Sequence, residues 1–169
     1  MRKFTQNKGK SKFLDKVPET SLQSKNVDLT KRCKFNFSYF AGDNKNSGDT
    51  FTQWESTNKL ALLASKIKDY SREDLKHWKQ FGVGKNRNSI LEIYPQFPSH
   101  SNFEYPKNIP IDVEWGRFRL DQNCRLAGFV IPASFHNKLD EKTRYFFDMN
   151  TFYVVFLDSN HDFYPLNKQ

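Results

Sequence analysis

The chain has 169 residues, a formal net charge of +8, 16 % aromatic side chains and 17 phenylalanines. That length predicts one domain with tails, and the aromatic content is ample for a well-packed core. No apolar run approaches the ~18 residues that a membrane helix needs, and the opening residues Met1-Arg-Lys-Phe-Thr-Gln-Asn-Lys8 lack the apolar stretch of a secretory signal. A cytoplasmic protein without a membrane partner is therefore expected. Cys33 and Cys124 show no CxxC spacing and are expected as reduced thiols.

The charge is unevenly spread. Residues 1–34 hold ten basic and three acidic side chains (net +7), whereas the rest hold 17 and 16 (net +1). Residues 1–33 read as a disordered, flexible basic tail, too polar to bury enough surface to order itself. Its Lys8, Lys10, Lys12, Lys31 and Arg32 are candidates for drawing in nucleic acid by charge. The nearly neutral body argues against electrostatic binding over the whole domain.

Residues 34–169 are expected to form a single domain. Residues 34–40 alternate polar and aromatic side chains, which predicts a first strand with Phe35, Phe37 and Tyr39 on one face. Residues 41–48 are turn-like. Thr52 with Glu55 fits a capping box, and Leu60, Leu63, Ala64, Ile67 and Tyr70 share one helical face. A second helix is expected from Ser71, with Leu75 and Trp78 buried, ending at Gly82 and Gly84. An insertion at about 85–112 follows, in which residues 89–94 fit either a short strand or a helical turn. Segments 115–120, 124–131 and 151–157 are strand-like, and a second insertion at about 132–150 separates the last two. The order β-α-α-β-β-β predicts an α+β domain: an antiparallel sheet of about four strands with two helices on one face. Val154 and Phe156 alternate with Tyr153 and Val155, so the last strand should be central and buried on both faces.

Little in the chain points to chemistry outside its last third. Arg117 and Arg119 share one face of a strand, Arg125 follows the turn at 121–124, and the last strand runs into Asp158-Ser-Asn-His161-Asp-Phe-Tyr164-Pro165. Cleavage of RNA by its own 2′-hydroxyl needs a base, an acid, and cations for the phosphate charge. A guanidinium fork grips two phosphate oxygens. An imidazole of pKa roughly 6.5 serves as acid or base, and Tyr164 can stack on a base or donate a proton. Asp158, His161 and Asp162 on one short turn are a weak ligand set, so neither a metal nor another cofactor is expected. The same residues also fit a solvated strand face, ion pairs of the arginines with Glu114 and Asp121, and a histidine in a turn. Convergence of the arginines and His161 on one face discriminates between these readings.

The element order and the Arg…Arg…His-x-x-Tyr ending resemble the RelE/YoeB-like family of bacterial toxins, over residues 34–165 and at the level of topology. The resemblance implies a metal-independent endoribonuclease acting on messenger RNA. It also implies RNA, including ribosome-bound RNA, and an antitoxin protein as partners, with Arg117, Arg119, Arg125, His161 and Tyr164 as catalytic residues. This chain departs from the family in its insertions, its tail, its nearly neutral body and the Asp162-Phe163 that stands between His161 and Tyr164. The alternative is a non-catalytic accessory protein of a phage or mobile element that binds nucleic acid or protein.

Overall fold

Apolar side chains at nearly every position of Thr151–Asp158 make this strand (β7) a two-sided core element, and the rest of the domain is arranged to cover it. The structure is a computed structural model that describes residues 21–25, 27–42, 48–84 and 88–165. Ahead of β7 come β1 (Lys34–Asn36), α1 (Phe51–Ser56), α2 (Lys59–Tyr70), α3 (Leu75–Gln80), β2 (Gly82–Val83), β3 (Asn88–Ser89), β4 (Leu91–Tyr94), β5 (Glu114–Arg119) and β6 (Arg125–Val130). The class is α+β, as expected.

The detail differs from the expected sheet. It has five strands in the order β1-β7-β6-β5-β4, and it is mixed, because β1 runs parallel to β7 while the other pairs are antiparallel. The added strand is β4, from the segment whose type the sequence left open. Strands β2 and β3 form a separate small hairpin. Strand β1 stops at Asn36, whose side chain accepts the Ser38 N–H at 2.9 Å, and a turn closes from the Phe40 N–H to the Phe37 carbonyl at 3.0 Å. That turn sends Phe35, Phe37 and Phe40 to one face of the sheet and Tyr39 to the other.

Three α-helices form among the described residues where two were expected. The capping box is Thr50 with Gln53, two residues ahead of the expected pair, and Asn58 in the left-handed region (φ 56) separates α1 from α2. Leu60, Leu63, Ile67 and Tyr70 of α2 face the sheet as their spacing predicts, but Ala64 is exposed. The third helix is capped by Asp74, which accepts the His77 N–H at 2.6 Å, while Ser71 belongs to the end of α2 and bonds the Ile67 carbonyl.

The helices bury one face of the sheet, packing Trp54, Leu63, Tyr70 and Leu75 against Phe118, Leu126, Phe152, Val154 and Leu157. No helix of the described residues covers the second face. Phe103, Ile109 and Val113 from residues 95–113, with Phe163 from the C-terminal segment, close over Trp115, Phe129, Val155 and Phe156. A β-bulge makes this possible. Ala127 pairs with Phe156 and Gly128 with Val154, so Val155 is unpaired in the ladder and joins Phe156 in the second core. The strict alternation expected along β7 fails there for that reason.

Gly128 is where β7 bulges against β6. A Cβ on this residue would lie 2.0 Å from the Tyr153 carbonyl oxygen and 3.0 Å from the Phe152 ring. Gly128→Ala is therefore expected to lower unfolding stability by about 1–3 kcal/mol or more, the range for overpacking a tight core. Chemical denaturation checks this, and an unchanged midpoint would show that the bulge relaxes freely.

Candidate functional site

Strand β4 alternates. Leu91 and Ile93 pack toward the helices, which leaves Glu92 and Tyr94 on the other face. Register then fixes their neighbours. Glu92 lies opposite Arg117, Arg119 opposite Arg125, and Arg125 opposite Asp158. A carboxylate, three arginines and a second carboxylate thus line one end of the helix-free face, where the aromatic cover of residues 95–113 gives way to the C-terminal segment.

Each arginine has a different environment. The Arg117 guanidinium donates to Glu92 Oε2 from Nη2 (2.6 Å) and Nε (3.0 Å). It lies 5.2 Å from the Tyr164 ring centre and 5.8 Å from that of Tyr94, and these two rings stack at 5.0 Å and 16°. Its Nη1 is buried and has no hydrogen-bond partner among the described residues. Arg125 is 3 % exposed and spends its donors on the turn before it, to the carbonyls of Asp121 (2.9 Å), Cys124 (2.8 Å) and Gln122 (3.2 Å). Burial and the charges of Arg119 and Arg117 pull its pKa down. Arg119 is half-buried, and its carbonyl accepts the Tyr70 hydroxyl. Among the described residues its guanidinium has no ion pair, whereas Arg117 is paired with Glu92. The pairing with Glu114 and Asp121 considered above does not occur. Asp121 instead accepts the backbone N–H groups of Asn123 (2.8 Å) and Cys124 (2.6 Å).

His161 and Tyr164 are brought to the arginines by the chain after β7. Asp158, 1 % exposed, accepts three backbone N–H groups, from Asn160 (3.0 Å), Asp162 (3.0 Å) and Phe163 (3.1 Å), and so folds that segment into a tight turn. Burial pushes the Asp158 pKa up against these hydrogen bonds. His161 sits in the left-handed region at φ 62, an uncommon conformation for a residue with a side chain. Its Nε2 lies 3.2 Å from the Gln122 carbonyl, the same oxygen that Arg125 contacts. A carbonyl only accepts, so Nε2 carries the proton and Nδ1 carries the lone pair in the neutral ring. Nδ1 is buried without a partner among the described residues. Burial, then the Arg125 charge, holds the imidazole pKa below 6.5.

All five expected residues of the last third therefore meet at one end of the sheet. Nothing in the sequence pointed to Glu92, and Tyr94 stood out only as one of the aromatics of residues 94–105 that could stack on a nucleotide base. Burial alone would raise the Glu92 pKa, but the hydrogen bond and charge of Arg117, with the Tyr94 hydroxyl (2.8 Å), hold it below the ordinary 4.5. Period-two alternation in residues 91–94 was the signal available, but only the register beside Arg117 gives it meaning. The three arginines and Glu92 fill the small cleft that they line with Ser89 and Ile90, so a ligand would lie across them. Among the described residues, no group of three or more His, Cys, Asp or Glu side chains is placed to hold a metal ion. No helix of the described residues is long and apolar enough to cross a membrane.

The expected nucleic-acid-binding residues of the tail are not part of this cluster. Lys31 pairs with Glu73 at 2.7 Å, beside the start of α3, and Arg32 pairs with Asp28 at 2.9 Å. Lys8, Lys10 and Lys12 lie outside the described residues. Both cysteines are free and buried, and burial pushes the Cys33 and Cys124 thiols up to about 12 and about 11, which keeps them protonated and poorly reactive. No protein-family model, no curated protein and no solved structure matches the chain.

The His161 surroundings yield a direct test. In the folded protein its imidazole should titrate with a midpoint below 6.5, followed by its ring signals in NMR. The unfolded chain then takes up a proton, as pH falls through about 6.5, that the folded chain resists, so the stability associated with His161 is present above that pH and lost below it. His161→Gln should remove that part of the slope. A midpoint at or above 6.5 would contradict the buried, cation-flanked environment.

Proposed function

We propose that the protein is an endoribonuclease that cleaves single-stranded RNA through side chains alone, toxin-like in taking messenger RNA as substrate. The observation that carries this reading is the row of Glu92, Arg117 and Arg119 across one end of the sheet, with His161 brought to the same end by its contact with the Gln122 carbonyl beside Arg125. In the free protein Glu92 is ionised and His161 is neutral at pH 7, because both pKa values are depressed. A bound phosphodiester changes that balance. Its negative charge competes for Arg117, which raises the proton affinity of Glu92, and it favours the imidazolium form of His161. The anion thus turns the carboxylate into a better base and the imidazole into an acid.

The chemistry then balances. Glu92 takes the proton of the 2′-hydroxyl as its oxygen bonds to phosphorus. Arg117 and Arg119 hold the charge that builds on the two non-bridging oxygens. The bond from phosphorus to the 5′-oxygen breaks, and His161 Nδ1–H protonates that oxygen. A 2′,3′-cyclic phosphate and a 5′-hydroxyl remain, with Glu92 protonated and His161 neutral, and solvent resets both. Arg125 does not touch substrate in this scheme. It holds the Asp121–Cys124 turn, whose Gln122 carbonyl anchors His161. Tyr164 shields Arg117, because its ring is already stacked on Tyr94.

One observation favours the second reading, a non-catalytic RNA binder: Nδ1 of His161 is covered in the free protein. Cleavage requires residues 159–162 to shift when RNA arrives, whereas binding through Arg119 requires no such movement.

An end-labelled oligoribonucleotide distinguishes the two. Cleavage is expected to yield cyclic-phosphate ends and to stop when the scissile nucleotide is 2′-deoxy. Glu92→Gln and His161→Ala should each lose about 10²–10⁴-fold in rate, the range of acid–base catalysis, and Glu92→Gln should also lower stability because it leaves Arg117 without its counter-charge. Arg119→Lys should recover only part of the Arg119→Ala loss, since an ammonium cannot make the bidentate contact. The rate should fall as pH rises past the imidazole pKa of the complex, because neutral His161 cannot donate. Binding without cleavage, equal in ribo- and deoxyribo-oligonucleotides, would establish the binder instead.

A further inference from the structure

Glu92 is held through one oxygen only. Its Oε2 accepts three donors: Arg117 Nη2 at 2.6 Å, Arg117 Nε at 3.0 Å and the Tyr94 hydroxyl at 2.8 Å. Among the described residues no donor reaches Oε1, and the side chain keeps 30 % of its surface open to solvent. Tyr94 is itself fixed from two sides. Its ring stacks on Tyr164 and lies under the Arg117 guanidinium, and its edge-to-face partner Phe163 is fully buried in the second core.

We propose that Tyr94 is the positioning residue of this site. Its hydroxyl shares Oε2 with Arg117, turns Oε1 toward the substrate, and keeps the carboxylate in place when a phosphate draws Arg117 away. This inference rests on the ribonuclease reading for its consequence and on the hydrogen-bond geometry for its cause. A phosphodiester that engages Arg117 removes two of the three donors from Oε2 at the moment when Glu92 must accept a proton. Without a third donor, the carboxylate on this edge strand is free to rotate. Tyr94 is suited to be that donor because burial raises its own pKa and keeps the hydroxyl protonated throughout the working range. It also couples the base to the segment that carries the acid, since the ring stacked on Tyr94 belongs to the same turn-and-anchor segment as His161.

Tyr94→Phe tests this, because it retains the ring stack and deletes only the donor. Two readouts are taken on the full chain: the Glu92 carboxyl titration, followed by carbon-13 NMR, and the pH profile of kcat/KM on an oligoribonucleotide. The hydroxyl stabilises the ionised carboxylate, so its loss should raise the Glu92 pKa by on the order of half a unit. The acidic limb of kcat/KM should move up by the same amount, and kcat should fall about tenfold with the denaturation midpoint kept. A purely structural role would lower stability or rate and leave both titrations where they were. An unmoved Glu92 titration overturns the inference, and so does an acidic limb that stays put while Glu92→Gln is inactive. If Glu92→Gln retains full cleavage, the ribonuclease reading fails, and the NMR titration alone then decides whether Tyr94 positions Glu92.

Discussion

The constraint on which this domain depends is the burial of β7 on both of its faces. Val154, Val155, Phe156 and Leu157 are all at 0 % exposure, and burying such side chains contributes roughly 1.5–3 kcal/mol each. Two separate covers are therefore required. The helices provide one, with ordinary caps and an apolar stripe. The other comes from irregular chain, residues 95–113 and the segment after β7, whose aromatic side chains do what a helix would otherwise do. The second cover ends where β4, β5 and β6 carry Glu92, Arg117, Arg119 and Arg125. The candidate site is thus the rim of an aromatic lid, and its position follows from the lid stopping short of the end of the sheet.

A rim of that kind has an electrostatic cost. Arg119 and Arg125 are directly opposed on adjacent strands, a like-charge pairing that destabilises a sheet. Arg125 is buried besides, and it persists because backbone carbonyls of the 121–124 turn occupy its donors. Glu92 forms an ion pair with Arg117, so the arginines of this rim outnumber the carboxylate paired with them. Paired charges of this sort add little net stability when buried.

The helical face of α2 and the two-sided burial of β7 were legible in the sequence because they depend on local periodicity and on a run of apolar residues. The direction of β1 was not. Parallel pairing with β7 is set by where the chain re-enters the sheet across more than a hundred residues, which no local pattern encodes. Nor was the bulge at Val155, because two apolar neighbours on one face look the same as two on opposite faces. Arg117, Arg119, Arg125, His161 and Tyr164 stood out in the sequence by chemical type and by lying beside strands. Glu92 and Tyr94 came from a short segment of open assignment, and their role depends on a register between β4 and β5 that lies more than twenty residues away along the chain. Residue type alone also misjudged Arg125, which looks like a phosphate ligand until its donors are counted.

The site as it stands in the free protein is closed on itself. Arg117 is folded between two tyrosines and a carboxylate, and the His161 lone pair is covered. The segment that carries it is held by three backbone N–H groups on Asp158, by Asn102 bonding Asp162 through a backbone bond at 2.9 Å and a side-chain bond at 2.7 Å, by the Ser101 hydroxyl on the Asp162 carbonyl, and by His161 on the Gln122 carbonyl. His161 also keeps a left-handed backbone that a residue with a Cβ adopts at a cost, on the order of 1 kcal/mol. Strain of that size at the tip of a turn lowers the energy needed to reorganise it. An anion that takes Arg117 from Glu92 also changes what the Tyr164 ring packs against, and Tyr164 lies three residues from His161. Charge capture and exposure of the imidazole are therefore mechanically linked through one short segment. Under the ribonuclease reading proposed above, this linkage couples phosphate capture to exposure of the imidazole.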